Sequence, residues 1–449
     1  MCGRCDLSPK DPEQTTLHRI VREHLADFLA AREAAGASMP AFVRDELFGF
    51  LRCGVAAHGV ALFRCSACNA SRVVALSCKG RGFCPRCLGR RMTELALEWT
   101  RWVLPRVRIR QWVLSLPFWL RVPLAYRHAL ALEVHAVAAR VIERWYRKKA
   151  KQLGVDGRTG MITVIQRFGS DLACNLHYHL IVNDGVHDAL GGFTALAAPT
   201  MDEMTALATR IAARVTRLLE RRSLDEDIDE SERSLCAALA RSARRQGAIA
   251  HADPEREPDQ DADRWAGLIK ARVEGFDLEC TTVVRGDDRE RLEQLCKYVL
   301  RAPLADRRLR LLATGEVALE LKTAWNDGTR WVTMSADTFL ERLCSLVPRE
   351  REHTTLYRGT LGPHAARRAK VVPHDEGPRP KNLTWANLMM HGLSVDVLAC
   401  ACGARMKYVA VVREKQSLAR LLRLHRLAQR ATPIAPARAP PQTDLDFGP

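Results

Sequence analysis

Two histidines separated by one tyrosine are the residues of this chain best suited to metal chemistry. His177 and His179 lie in the segment 174-CNLHYHLIVNDGV-186, whose other residues predict a buried strand. Residues two apart on a strand point to the same face, so both imidazoles should project together and Tyr178 should project the other way. Imidazole is the commonest protein ligand of metal ions, so this segment predicts a two-histidine metal site.

A second potential metal site is formed by pairs of cysteines. Cys65 and Cys68 form one C-x2-C pair, Cys84 and Cys87 form another, and 15 residues separate the pairs. Each pair can turn a tight knuckle, and four thiolates give the closed tetrahedral shell of a structural zinc. The N-terminal MCGRCDLSPKDPEQ has no apolar region of a secretory signal, so we do not expect a disulfide framework.

Further potential zinc ligands lie nearby and at the C-terminal end. Cys53, His58 and Cys78 could form a second site or share the first, and the two cysteines could equally be small buried apolar residues. The segment 400-CACG-403 resembles a degenerate zinc knuckle. Two thiols alone cannot close a zinc shell, so we assign no metal to this segment.

Positive charge is concentrated around the first cysteines. The chain has 69 Lys and Arg against 52 Asp and Glu, and the window from Arg72 to Arg127 holds twelve Arg or Lys and two Glu. This balance favours a polyanion, nucleic acid first, although a solvated surface of an Arg-rich protein is the alternative. Because the basic window overlaps the cysteines, we expect a metal-organised DNA-contacting surface. Its candidate contacts are Arg72, Lys79, Arg81, Arg86, Arg90 and Arg91.

The elements that position these residues are a mixture of helices and strands. Apolar spacing predicts helices over 11–51, 93–105, 124–151 and 201–222, a strand over 107–117, and a hairpin over 160–185. This order predicts an α+β fold in which an antiparallel sheet carries helices on one face. No apolar run approaches the roughly 20 residues that span a bilayer, so we expect a cytoplasmic protein.

The second half of the chain begins with a change of composition. Residues 223–264 are acidic and predict an exposed, variable connection. A strand is expected from 276, followed by a helix that has an Asp at its N-cap and ends at Pro303. Two strands should then follow around Gly315, and the Pro-rich tail from 428 should be disordered.

One tyrosine in that helix, Tyr298 of LEQLCKYVLRAP, could take part in catalysis. Alone, a helical tyrosine is usually a packing residue. If a divalent ion at His177 and His179 polarises a phosphate oxygen, a nearby phenol can attack phosphorus and retain the strand as a phosphotyrosine ester. The ion, the nucleophile and the cationic surface together predict phosphoryl transfer on DNA.

Taken in order, these motifs resemble a known family. The series CGxxAHG, CxxC, SCKGRGFCPRC, RQWVLSLPF, QRFGSDL, NLHYHLIVNDGV and LCKYVLRAPLA is similar to that of rolling-circle insertion-sequence transposases with an HUH nuclease domain. Within that group the chain most resembles the branch carried by common-region (ISCR) elements. The resemblance covers roughly residues 15–425.

The resemblance implies a role for specific residues. His177 and His179 match the HUH pair, Tyr298 matches the nucleophile, and Cys65, Cys68, Cys84 and Cys87 match the zinc ligands. Many relatives have a second tyrosine four residues earlier, where this chain has Gln294, so the chain resembles a single-tyrosine variant. Phosphate contacts are expected from Arg167, Lys297 and Arg301.

The identity of a third ligand for the catalytic ion remains open at this point. Gln294 lies one helical turn before Tyr298 and hence on the same face of the helix. Gln166, on the strand before the histidines, and Asp184, just after them, are alternatives. Each would supply an oxygen atom, which suits Mg²⁺ or Mn²⁺.

These observations predict a bacterial transposase that nicks single-stranded DNA at the element ends and transfers the strand. The expected domains are a helical zinc-binding DNA-recognition domain (1–105), an HUH nuclease domain (106–375), a degenerate zinc-knuckle segment (376–427) and the tail (428–449). The expected cofactors are structural Zn²⁺ and catalytic Mg²⁺ or Mn²⁺, and the expected location is the nucleoid. The alternatives are a catalytically inactive zinc-dependent regulator and a plasmid replication initiator or relaxase.

Overall fold

The structure is a computed structural model that describes residues 11–222, 248–252, 269–325, 327–373, 385–393 and 396–438. Within these residues the chain has the predicted α+β class, with antiparallel sheets and helices. The predicted acidic connection at 223–264 lies outside the described residues except for 248–252, which form a strand. Of the tail, 439–449 lies outside them as well.

The helices of the described residues are α1 (Thr16–Ala34), α2 (Ala41–Arg52), α3 (Pro85–Trp102), α4 (Phe118–Tyr126), α5 (His128–Gln152), α6 (Met201–Glu220), α7 (Arg289–Val299), α8 (Ala336–Leu346), α9 (Arg368–Val371), α10 (Trp385–Leu393) and α11 (Lys415–Leu424). The predicted helix over 11–51 is two helices. Pro40 precedes α2, and proline lacks the amide hydrogen that a continuous helix would need at that position.

The strands are β1 (Val60–Cys65), β2 (Ser71–Ala75), β3 (Ile109–Ser115), β4 (Gly160–Phe168), β5 (Cys174–Asn183), β6 (Gly185–His187), β7 (Phe193–Ala195), β8 (Ala248–Ala252), β9 (Lys270–Val273), β10 (Phe276–Glu279), β11 (Val283–Val284), β12 (Leu309–Leu311), β13 (Val317–Glu320), β14 (Thr329–Met334), β15 (Thr355–Gly359) and β16 (Met406–Val412). The predicted β4–β5 hairpin is confirmed.

The largest sheet has the strand order β15-β4-β5-β3-β10-β9, and β11 also pairs with β3. Each pairing is antiparallel, and β5 lies in the middle between β4 and β3. In this register His177 is directly opposite Gln166 on one side and Ser115 on the other. The side chains of directly opposed residues share a face, so these three point the same way.

Helices cover both faces of this sheet. Tyr178 and Trp112 pack against α4, α5 and α6 on one face, and the Tyr178 hydroxyl donates to the Ala131 carbonyl at 2.8 Å. On the other face Ile162 and Ile181 pack against α3 and α7. The sequence analysis placed helices on one face only. β5 is buried at every position except Asn175, so both of its faces need apolar partners.

A second core joins the two ends of the chain. Helices α1 and α2 pack with α8 and with the sheet of order β12-β13-β14-β8. The last strand, β16, returns to pair with β1 in a three-stranded sheet of order β16-β1-β2. Residues 428–438, expected to be disordered, have no helix or strand but hydrogen-bond to α1, for example through Ala435 to the Arg22 carbonyl at 3.1 Å.

Candidate active site and metal centres

The histidine pair and the tyrosine lie together on the α7 side of the large sheet. The ring centroids of His177 and His179 are 4.8 Å apart, and those of His179 and Tyr298 are 6.2 Å apart at an interplanar angle of 86°. The predicted alternation on β5 is confirmed, because Tyr178 points to the opposite face. The fold thus brings together an imidazole pair and a phenol from more than one hundred residues downstream.

Both imidazoles are oriented by contacts at Nδ1. His177 Nδ1 is 2.7 Å from the Asn175 carbonyl oxygen, so Nδ1 carries the hydrogen and donates it, leaving a lone pair on Nε2. His179 Nδ1 is 2.8 Å from the Gln111 amide. With the amide rotated to present its oxygen, His179 also donates from Nδ1. Such outer contacts orient a metal-ligating histidine.

Burial keeps the two imidazoles neutral at neutral pH. The pKa of His177 is lowered to about 4, chiefly by desolvation and also by the Arg301 charge, against the raising effect of the Asn175 carbonyl. The pKa of His179 is also lowered, by burial first and then by His177 and Arg301. A neutral imidazole is the form that binds a metal ion.

Gln166 supplies an oxygen atom beside the imidazoles. Its amide nitrogen donates to the carbonyl of Val299, the residue after Tyr298, and this contact fixes the end of α7 over β4. Its Oε1 and the Nε2 of His179 are both buried without a hydrogen-bond partner in the described part of the chain. Two unsatisfied buried atoms of this kind, next to the His177 ring, fit a divalent ion held by two nitrogens and one oxygen.

The other two predicted third ligands are placed less suitably. Gln294 is exposed on α7, and no hydrogen bond joins it to either histidine within the described residues. Asp184 is completely buried, with its carboxylate 2.9 Å from two nitrogens of Arg110 and 2.7 Å from Arg108. The Tyr146 hydroxyl also donates to it at 3.1 Å. Asp184 is therefore part of a structural ion-pair network.

Tyr298 is half exposed, with 52% of its surface accessible. The Arg301 guanidinium lies 4.2 Å from the centre of its ring and donates to its main-chain carbonyl at 3.1 Å. This arrangement is a cation–π contact, which holds a positive charge against the Tyr298 ring. The hydroxyl thus combines access from outside with a positive charge next to it.

Two predicted phosphate contacts are engaged within the protein. Arg167 has only 12% of its side chain exposed, lies 3.6 Å from Glu352 and donates to the Ala125 carbonyl. The prediction that Arg167 contacts a phosphate at the site is wrong. Arg167 follows Gln166 on β4, so its side chain points to the opposite face of the sheet, toward α4. Lys297 pairs with Glu293 at 2.6 Å.

The basic residues near the cysteines differ in exposure. Arg86, Arg90 and Arg91 are exposed in the first turns of α3. Arg81 is partly buried and donates to the Glu352 carbonyl, so it joins the cysteine segment to the part of the chain before β15. Of these four side chains, the three on α3 are exposed to solvent.

Sequence reasoning missed four residues near the site. Gln111 could have been found from the alternation on β3, which puts it on the same face as Ser115 and hence as the histidines. Phe118 and Trp119, just after β3, are 55% and 58% exposed. Arg121 lies 5.8 Å from the Phe118 ring, and its charge helps to lower the pKa of His177. Consecutive exposed aromatic residues are unusual and deserved notice.

The cysteines form two separate four-thiol clusters. One consists of Cys53, Cys78, Cys84 and Cys87, and the other consists of Cys65, Cys68, Cys400 and Cys402; within each, the sulfurs lie within 4.8 Å of one another. Five of the Sγ–Sγ distances run from 3.4 to 3.7 Å. Tetrahedral zinc with Zn–S bonds of about 2.3 Å requires roughly 3.8 Å, so both clusters fit the ion.

This arrangement corrects the predicted grouping of the cysteines. The two C-x2-C pairs do not share one site, and each is completed by another pair. The CACG segment, to which no metal was assigned, supplies Cys400 and Cys402 because β16 returns to β1. His58 belongs to neither cluster.

The two clusters lie in different surroundings. The Cys53 cluster is packed in the core with α1, α2 and α8, and Cys84 precedes the first residue of α3. The Cys65 cluster lies at the end of β1, with Cys68 and Cys402 exposed. The backbone amides of Cys68 and Ala67 lower the pKa of Cys65 to about 6. These amides favour the thiolate that a metal ion requires.

Comparisons with known proteins identify two domains. Residues 20–116 match a family model described as a transposase zinc-binding domain, of the IS91 type, and residues 160–369 match one described as a putative transposase. No curated protein and no solved structure matched the chain. The chain therefore carries transposase domains, structural zinc is its expected metal, and DNA is its partner. No helix among the described residues is long and apolar enough to cross a membrane.

Proposed function

We propose that this chain is a rolling-circle transposase in which Tyr298 cuts single-stranded DNA and holds its 5′ end as a phosphotyrosine. The observation that carries the proposal is the position of the Tyr298 ring next to His179, whose buried Nε2 has no partner within the described residues. The putative-transposase match spans His177, His179, Gln166 and Tyr298. The same match argues against a plasmid replication initiator or relaxase.

His177, His179 and Gln166 would hold the catalytic ion, Mg²⁺ or Mn²⁺. When bound, the ion would polarise a phosphate oxygen and offset charge that develops on phosphorus. The support is the donor set, which combines two neutral imidazoles with an unpartnered amide oxygen. Gln111 and the Asn175 carbonyl would keep both Nε2 atoms directed at the ion.

Tyr298 would then be the nucleophile. Its oxygen forms a bond to phosphorus, the bond from phosphorus to the 3′ oxygen breaks, the phenol loses its proton and the leaving 3′ oxygen gains one. Arg301, over the ring, would contact the phosphate. Because the ester retains the energy of the broken bond, the free 3′-hydroxyl of a second strand can reverse the step and complete strand transfer.

A single strand is the substrate that the rim of this site suits. Phe118 and Trp119 are exposed just after β3, whose last residue, Ser115, is opposite His177. Exposed aromatic rings stack on unpaired bases, and Arg121 beside them would attract the backbone. The zinc-binding region would hold the element ends through Arg86, Arg90 and Arg91.

The chain would transfer strands with one tyrosine. Gln294 occupies the position where many relatives of this kind have a second tyrosine, and this supports the single-tyrosine, common-region-like branch. Such a protein would act on the bacterial nucleoid in the cytoplasm.

A covalent-trapping experiment tests the proposal. The zinc-loaded protein is incubated with labelled single-stranded element ends and Mn²⁺, and the mixture is run on a denaturing gel. We expect a protein–DNA band that disappears in Tyr298→Phe and in His177→Ala, while both variants still bind the DNA. If zinc-loaded wild-type protein binds but gives no band, the chain is instead a zinc-dependent regulator. A band that survives in Tyr298→Phe would assign the nucleophile elsewhere.

A further inference from the structure

A second strongly basic surface lies on α5, away from the residues discussed so far. Arg140, Arg144 and Arg147 are spaced by four and three residues, so they lie on one side of the helix. Arg158 and Arg358, the latter on the edge strand β15, complete a set that we call the α5 basic surface. Lys148 and Lys151 continue it toward the end of the helix.

The surface is concave. All five arginines line one open cavity of about 560 Å³ together with His364. Arg144, Arg147, Lys148 and Lys151 line a neighbouring one of about 400 Å³. A concave wall of one sign of charge focuses the electric field and concentrates anions.

The five guanidinium groups have no partner in the part of the protein that the structure describes. Within the described residues none of them forms an ion pair or a side-chain hydrogen bond, whereas Lys149 on the same helix pairs with Glu203 at 2.9 Å. One carboxylate, Glu143, lines the larger cavity. Burial raises the pKa of Glu143, against the opposing effect of Arg358, Arg158 and Arg140. One acid among five arginines leaves most of the charge unneutralised.

The positive charge extends from α5 to α6. The pKa of Arg214 is lowered by desolvation first and then by Arg144, Arg210, Arg140 and Arg217. These arginines belong to both helices, so they approach one another across the α5–α6 pair. Crowding like charges costs free energy, and a bound polyanion would remove that cost.

This surface is on the opposite side of the sheet from the candidate active site. Helices α5 and α6 cover the face that carries Tyr178 and Trp112, whereas the imidazoles point to the face covered by α3 and α7. A DNA segment on the α5 basic surface is therefore a different segment from the strand at Tyr298.

The chemistry favours the backbone of a DNA duplex as the occupant. From Arg140 to Lys151 the helix rises about 16 Å, close to half a turn of B-form DNA. Tyr357 also lines the larger cavity, but it is partly buried, packs edge-on against Trp99 and accepts a hydrogen bond from Trp99 Nε1 at 2.9 Å, so its ring is not open to stack on a base. Guanidinium groups in such a setting suit phosphates.

We propose that the α5 basic surface binds the sugar–phosphate backbone of double-stranded DNA, independently of sequence, while a single strand occupies the site at Tyr298. The surface would hold the duplex from which the strand is drawn or into which it is inserted. Duplex binding itself does not depend on the Tyr298 chemistry.

The test compares two triple variants of the full-length zinc-loaded protein. Arg140→Gln/Arg144→Gln/Arg147→Gln removes three charges, and Arg140→Lys/Arg144→Lys/Arg147→Lys retains them as a matched control. Binding to a 30-base-pair duplex of arbitrary sequence is measured by fluorescence anisotropy over a series of salt concentrations. Melting temperature and zinc content verify that each variant is folded.

We expect the Gln variant to bind the duplex at least tenfold more weakly, with a log Kd versus log salt slope shallower by about two to three. The Lys variant should stay within about threefold of wild type, and cleavage of single-stranded ends should be unchanged in both. Equal duplex affinity and slope in the Gln variant would overturn the proposal.

Two further measurements distinguish duplex DNA from other polyanions and distinguish this proposal from the proposed function. Binding to anionic phospholipid vesicles or to duplex RNA that exceeds DNA binding, and that the Gln variant loses, would overturn the assignment to DNA. Failure of Tyr298 to form a covalent band would contradict the proposed function but would leave the duplex result intact, because duplex binding is measured without Mn²⁺.

Discussion

At the scale of single residues, the candidate site is defined by which polar atoms of its side chains have a hydrogen-bond partner and which have none. His177 and His179 are held at Nδ1 by a main-chain carbonyl and by Gln111, while Nε2 of His179 and Oε1 of Gln166 have no partner in the described chain. Buried polar atoms without a hydrogen bond cost about 1–3 kcal/mol each. In the proposed function, a bound divalent ion would satisfy both atoms.

The choice between Gln166 and Gln294 can be decided by a matched pair of variants. Gln166→Ala should weaken Mn²⁺ binding at least tenfold and reduce covalent-complex formation in parallel, because it removes an oxygen next to His177. Gln294→Ala removes an amide side chain from an exposed position. It should change Mn²⁺ affinity and covalent-complex formation by less than twofold each. Calorimetric titration of Mn²⁺ measures the difference, and equal losses in the two variants would contradict the assignment.

Asp184 allows a prediction about stability alone. Asp184→Asn should reduce the free energy of unfolding by about 3 kcal/mol, because it leaves the buried Arg110 charge without its carboxylate. Asp287→Asn breaks an ion pair with Arg285 whose side chains are 69% and 81% exposed, and should change the free energy of unfolding far less, because solvent screens the pair. Urea denaturation of both variants is the measurement. Similar costs in the two variants would show that the buried Arg110 does not depend on the Asp184 carboxylate.

At the scale of elements, the cysteine clusters depend on strand pairing. Cys65 and Cys68 at the end of β1 meet Cys400 and Cys402 only because β16 pairs with β1 from Val60 to Cys65. The second cluster therefore connects the two ends of the chain. The zinc-binding region that we propose combines the 1–105 segment with residues 396–424.

The number of zinc ions follows from this connection. Wild-type protein should bind two zinc ions per chain, and Cys402→Ser should bind one, because a three-thiol shell with an exposed gap holds zinc poorly. Cys174→Ser changes a buried cysteine outside both clusters and should keep two. Atomic absorption of the purified proteins gives the count. Two ions in Cys402→Ser would show that this cluster does not hold zinc.

The packing of α5 against β4 makes the stability of the protein depend on pH. His135 on α5 contacts the Thr163 hydroxyl at 2.9 Å, and burial lowers its pKa from 6.5 to about 3. Below pH 6.5 the imidazole of His135 is protonated in the unfolded chain but stays neutral in the native protein. The free energy of unfolding therefore decreases progressively as the pH falls from 6.5 toward 3. Between pH 7 and 5.5 the contribution is about 1 kcal/mol.

His135→Gln retains an amide that can contact Thr163 but does not titrate in this range. Its loss of stability between pH 7 and 5.5 should therefore be about 1 kcal/mol smaller than that of wild type, in urea denaturation at both pH values. An identical loss in the two proteins would mean that His135 is protonated in the native state.

At the scale of the whole molecule, the large sheet separates two surfaces. The half-exposed Tyr298 and the buried imidazoles lie on the α7 side, and the arginines of the α5 basic surface lie on the α5 side. In our proposals the first side binds an unpaired strand and the second binds a duplex. A protein that exchanges one strand of a duplex needs both.

The sequence by itself determined the local features of the site. The period of two on β5 predicted that His177 and His179 share a face and that Tyr178 does not, and the apolar patterns predicted α5, α6, α7 and the β4–β5 hairpin. Both depend on residues a few positions apart. For the same reason the C-x2-C spacing predicted thiol knuckles correctly, as pairs.

Only the tertiary structure decided which of these local features meet. The Cys65 knuckle is completed from Cys400 and Cys402, Gln166 rather than Gln294 lies across from His177, and Arg167 points away from the site. These outcomes depend on strand order and register between segments far apart in the chain. Sequence spacing does not encode that information, because burial of apolar faces over the whole fold sets the register.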